Sequence, residues 1–287
     1  MTLMVDFPFP GTDAWVGHFK AIDLPVLRLT AKKLMELQEN AEDINTRNLA
    51  AIVMHDPLMT LRVLRYMQAH RSPFQNADIT TMERALVMIG TSKFFELCQD
   101  LPIIEQQLKG HPKAMLGLLK VITRSRHAAG WARDWALFRQ NTRFDEISLA
   151  AMLHDSVEIL MYCTAPSLAL RAQERHLAQP KLRTQTIQEE VFGASLNDIM
   201  QELIKDWGLP ELLQSLLDPA DAQLPNVRNV SLAVDLARHV ANGWKDPAIP
   251  DDLRAIESLL HMGHAKLLES VGAPKEMVQA AKLAELD

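Results

Sequence analysis

The chain has 287 residues, of which 48% are hydrophobic, and a formal net charge of -6. That length can bury a full core as one large domain or two small ones, and the acidic balance argues against a dedicated nucleic-acid binder, so no DNA partner is expected. Met1 to Gly17 lacks a basic segment followed by an apolar run, and no stretch of about eighteen uncharged apolar residues occurs; neither a signal peptide nor a membrane span is expected, and the location expected is cytoplasmic.

In chain order, Met1 to Gly17 is punctuated by Pro and Gly and reads as a loose arm, with Phe7, Phe9 and Trp15 as residues that could dock it. From Leu24 the helical period takes over, with Leu27, Leu34 and Leu37 on one face. A helix over Asn48 to Met54 comes next. His55-Asp56-Pro57 then reads as a helix start, with Asp56 as N-cap and Pro57 at the first helical position, and the helix runs to about His70. Thr80 and Glu83 have capping-box spacing for a helix that stops at Gly90. Short helices are expected over Phe94 to Asp100 and Pro102 to Leu108. Gly110-His111-Pro112 is the best boundary signal.

A long helix follows over Lys113 to Arg139. A second His-Asp pair, His154-Asp155, sits inside an apolar pattern expected to be helical from Asp145 to Tyr162. There it has no turn signal beside it, and a buried, unpaired carboxylate is costly. Further helices are expected over Ser167 to Ala178, Thr186 to Val191, Ser195 to Trp207, Pro210 to Leu217, Val227 to Asn242, Asp251 to His261 and Ala265 to Leu286. With no convincing strand and no fixed-period repeat, the fold class is all-α. Cys98 and Cys163 stand far apart in apolar helical context and read as buried thiols, not as a disulfide framework.

Several segments together resemble the HDOD family, the HD-related output domains of bacterial signalling proteins. They are Leu24-Pro25, Asn48 to Val53, His55-Asp56-Pro57, Leu61-Arg62-Val63-Leu64-Arg65, Ile79 to Ala85 with Ile89-Gly90, Leu153-His154-Asp155 and Trp207-Gly208-Leu209-Pro210. The resemblance covers roughly Ile22 to Asn242. It implies an N-terminal helical bundle packed on an HD-like helical core, and a non-catalytic role in signal transduction through a protein partner. The division then expected is an arm over 1–19, an N-terminal helical subdomain over 20–110, and an HD-like subdomain with C-terminal helices over 111–287.

The same resemblance implies a site. His127, His154, Asp155 and Asp235 match the minimal ligand set of the HD superfamily. Two readings stand side by side: one bound divalent ion (iron, manganese, magnesium or zinc), or a relict polar cluster with no metal cofactor. Catalytic residues are not expected. Ser156-Val157-Glu158 follows the pair where a hydrolase of this type has Gly and Lys, and a carboxylate there repels phosphate. Leu196, Met200 and Asp218-Pro219 stand where relatives often have His, Gly and a His pair. The alternative function is a metal-dependent phosphohydrolase or phosphodiesterase; a third is a non-hydrolysing nucleotide sensor.

Around His127 the chain is locally basic, with Lys120, Arg124, Arg126, Arg133, Arg139 and Arg143, and Trp131 and Trp135 lie four apart on its helix. Arg124, Arg126, Trp131 and Arg133 are the candidate contacts for a partner or nucleotide; a solvated face and a core stripe are the plainer readings. The N-terminal methionines suit either an adaptable contact surface or core filling.

Overall fold

The computed structural model describes residues 4–40, 44–70, 81–179 and 182–285. The chain is all-α: the described residues form eighteen α-helices and no strand. A single parallel bridge pairs Val26 with Ile103, closed by Val26 N–H to the Pro102 carbonyl (2.8 Å) and Ile104 N–H to the Val26 carbonyl (2.9 Å).

Two compact units form, and both are discontinuous in sequence: 1–123 with 153–214, and 124–152 with 215–287. Gly110-His111-Pro112 therefore falls inside the first unit. The chain leaves that unit within a long continuous helix, where no turn residue announces the crossing.

The first unit begins with α1 (Thr12–Ala21), where a loose arm was expected. Burial explains the helix: Trp15 and Phe19 are fully enclosed, and Trp15 Nε1 donates to the Phe192 carbonyl at 2.8 Å. Phe9 packs edge-on against Trp15, with ring centroids 4.7 Å apart, whereas Phe7 is 82% exposed. Helices α2 (Arg28–Glu39) and α3 (Thr46–Val53) lead to α4 (Pro57–Ala69). Asp56 caps α4 as its sequence signature predicts, its Oδ1 accepting from the Leu58 and Met59 amides at 3.1 and 3.2 Å. Its Oδ2 accepts from the Leu27 amide, at the start of α2, at 2.7 Å. The carboxylate is fully buried. Burial pushes its pKa up, partly opposed by these amides and by the Thr30 side chain.

Helix α5 (Met82–Ile89) starts one residue later than predicted. Thr80 lies outside the described residues; Thr81 is the cap, its hydroxyl accepting from Arg84 N–H at 3.4 Å. Gly90 ends α5 at φ 76° and precedes α6 (Thr91–Leu97) and the short α7 (Ile104–Gln107). Met59, Met67 and Met82 fill the core, while Met88 is exposed. Cys163 is buried and Cys98 partly so; both are free thiols, and desolvation pushes the Cys98 pKa up to about 12 and that of Cys163 higher still.

Helix α8 (Pro112–Phe138) continues from the first unit into the second. At its N-terminal end Gly117 permits a close approach: a Cβ there would meet the Tyr162 ring at 2.6 Å. The pattern expected to be one helix over Asp145 to Tyr162 is two, α9 (Phe144–Leu153) and α10 (Ser156–Thr164). Then come α11 (Pro166–Ala178), α12 (Thr184–Phe192) and α13 (Leu196–Asp206), the last capped by Ser195. α14 (Glu211–Leu217) follows.

In the second unit, α15 (Pro225–Val240) packs on α16 (Ile249–Leu260). His239 Nδ1 lies 2.6 Å from Asp252 Oδ2 between them, and this bond raises the histidine's pKa against the opposing effect of burial. The buried Asn229 amide faces α8, donating to the Ala132 carbonyl at 3.1 Å. The single helix expected over Ala265 to Leu286 is broken into α17 (His264–Ser270) and α18 (Lys275–Ala284). Gly272 at φ 72° and Pro274 make the turn between them.

Candidate functional site

The second His-Asp pair occupies the break between α9 and α10. Asp155 stands at the N-cap position of α10, with φ -94° and ψ 15°, and its side chain makes no capping bond. It is 7% exposed, and its Oδ1 lies 3.0 Å from His154 Nδ1. Ser156, the next residue, is fully buried. The pair is thus set by a local kink in a continuous apolar pattern, and one hydrogen-bond partner of the buried carboxylate is its neighbour on the chain.

His154 and Asp155 belong to the first unit; His127 and Asp235 belong to the second. His127 is exposed on α8 and stacks on Trp131, with centroids 5.8 Å apart. Asp235, on α15, is 45% exposed at its side chain and accepts from Arg238 at 3.3 Å. Among the described residues, no group of three or more His, Cys, Asp or Glu is gathered as metal ligands would be. A protein site for a catalytic ion of the zinc type supplies about three ligands. The His154–Asp155 pair by itself supplies fewer.

Of the candidate contacts on α8, Arg124, Arg126 and Trp131 are half-buried and Arg133 is exposed. Arg133 Nε lies 3.4 Å from Asp145 Oδ1, and its guanidinium lies 5.2 Å from the Phe144 ring centroid. Trp135, four residues after Trp131, is a core residue at 2% exposure. The tryptophan pair therefore divides: one ring packs the core and the other backs His127.

Trp207-Gly208-Leu209-Pro210 forms the C-terminal turn of α13. Gly208 takes φ 62°, and the Gly208 and Leu209 amides return to the Lys205 and Ile204 carbonyls, both at 2.9 Å. Trp207 carries the Arg65 guanidinium 5.7 Å from its ring centroid. Two segments far apart in sequence, one on α4 and one after α13, meet there. Arg62 and Arg65 were not singled out as site residues from the sequence. The signal was two cations three residues apart in a helix otherwise lined by Leu58, Leu61 and Leu64.

The HDOD domain model matches residues 24–221, most of the chain, and the protein belongs to the HDOD domain family. Its fold is similar to that of the MmoQ response regulator from Methylococcus capsulatus strain Bath, at 17% identity and TM-score 0.59, over 91% of this chain and 98% of that one. It is also similar to a virulence factor from Campylobacter jejuni subsp. jejuni, at 18% identity and TM-score 0.66, over 93% of this chain and 98% of that one. At these identities the likeness is one of fold. No curated protein sequence matches the chain. No helix among the described residues is long and apolar enough to cross a membrane.

Proposed function

We propose that this protein is a non-catalytic regulatory module that relays a signal by protein contact. The observation that carries the reading is the state of Asp155. A carboxylate that should anchor a ligand set is drawn to a helix start, 7% exposed, and bonded to the adjacent His154. Glu158 stands three residues further on, where it opposes a phosphate instead of receiving one. Membership of the HDOD family supports the same reading, as does a fold shared with a protein described as a response regulator.

The contact surface assigned to this role is the part of α8 bearing Arg124, Arg126, Trp131 and Arg133, and its partner would be acidic. The exposed Arg133 and half-buried Trp131 offer a cation beside an aromatic anchor, a combination enriched at protein interfaces. The double reversal Arg126→Glu with Arg133→Glu is expected to abolish capture of the wild-type set of binding proteins from a lysate of the native host. The variant should stay folded: the exposed Arg133 contributes the roughly half kcal/mol usual for surface changes, and a larger loss is expected at the half-buried Arg126. Unchanged capture would remove this face from the proposal.

A further inference from the structure

The first unit holds a cleft of about 220 Å3 beside α4, lined by Asp23, Arg62, Arg65, Tyr66, His70 and Leu97, among others. It lies on different elements from the His154–Asp155 pair and from the basic stretch of α8, and nothing in the proposed function uses it.

Charge in this cleft does not balance. Asp23 is the only carboxylate among its described lining residues, and it pairs with Arg62 Nη1, which also donates to the Leu24 carbonyl at 3.1 Å. Arg62 Nε is buried and has no hydrogen-bond partner among the described residues. Arg65 makes no ion pair with a described residue there. Its Nη1 reaches only the Ile22 carbonyl, at 3.4 Å, and its guanidinium sits over the Trp207 ring. Among the described residues, one carboxylate thus faces two guanidiniums. Partly buried cations left short of a counter-charge are costly, and the deficit opens onto a concave space. Burial and the neighbouring Arg62 both weaken Arg65's hold on its proton, against the pull of Asp23.

Guanidinium N–H groups in a fixed plane match the oxygens of a tetrahedral anion. Size narrows the choice. Pockets for whole drug-sized ligands occupy roughly 300–1,000 Å3, so this cleft accommodates a single group and not an entire nucleotide. We propose that it binds one phosphate-type oxyanion, either free or as the phosphomonoester end of a small molecule, held by the Arg62 and Arg65 guanidiniums. Tyr66 and His70, whose rings stack at 4.0 Å, form one wall of the site.

The test is an amide 1H–15N titration of the full chain with inorganic phosphate and, separately, with phosphoserine. Acetate at the same ionic strength controls for screening. Saturable shifts are expected at the lining residues Leu24, Ala69 and Leu97 with both phosphates. Phosphoserine binding more tightly than inorganic phosphate would assign the natural ligand as an ester; the reverse order would assign the free ion. Arg65→Gln is expected to weaken binding about tenfold or more, the usual scale for losing a charge-assisted hydrogen bond. Because that change also removes the stack on Trp207, Arg62→Lys serves as a second variant. It retains a cation for Asp23 but lacks the planar guanidinium fork, and it too should weaken binding. Shifts that do not saturate, that spread evenly over the surface, or that persist unchanged in both variants would overturn the proposal.

Discussion

Asp56→Ala is expected to cost on the order of 3 kcal/mol, read as a fall in the urea midpoint of the first unit. Two effects combine. Loss of an N-cap typically costs about 1 kcal/mol and at most about 2, and α4 would lose the acceptor for its Leu58 and Met59 amides. The larger effect comes from the other oxygen. Leu27 N–H, 2.7 Å away in a buried setting, would be left without its acceptor, and an orphaned buried donor costs about 1–3 kcal/mol. Asp56→Asn keeps the shape and one acceptor oxygen, so about half the loss is expected. A cost for the alanine variant below about 1 kcal/mol, the scale of a cap alone, would show that the bond to Leu27 contributes little.

Gly193→Ala is expected to destabilise by on the order of 2–3 kcal/mol. Gly193 ends α12 in the left-handed region at φ 75°, which costs a residue with a Cβ roughly 1–2 kcal/mol. A Cβ would also meet the Phe9 carbonyl oxygen at 2.8 Å, and backbone cannot swing aside as a side-chain end can. Gly208→Ala separates the two causes. Gly208 also has positive φ, at 62°, but a Cβ there has nothing within 4 Å. It should show the conformational cost only. Equal losses at the two positions, measured by the same denaturant titration, would mean that the segment around Phe9 gives way and the contact is soft.

Local chemistry explains which features were legible in the sequence. Asp56-Pro57 was read correctly because capping depends on residues one to three positions away. The same locality separates the two His-Asp pairs. Leu153 and Val157 continue one apolar pattern across His154-Asp155, and no Gly or Pro marks the kink, so two helices read as one. Between α17 and α18 the opposite holds: Gly272 and Pro274 are visible turn signals, but the apolar period runs through them. Trp15 looked like part of an arm because its hydrogen-bond partner, the Phe192 carbonyl, lies 177 residues away. The crossing between units inside α8 has no compositional mark at all. At the site, residue types point to a family ligand set, but the bonds each side chain makes depend on packing: Asp155 bonds to His154 beside it, and Asp235 accepts from Arg238.

The proposed role needs no catalysis, and a hydrolysis assay tests that most directly. Purified protein, supplied with manganese or iron, is offered nucleoside phosphates, cyclic dinucleotides and a generic phosphodiester. No turnover above the metal-only control is expected, and His154→Ala should behave as the wild type does. Turnover that disappears in His154→Ala would contradict the account and make the His-Asp pair part of a working metal-dependent phosphohydrolase.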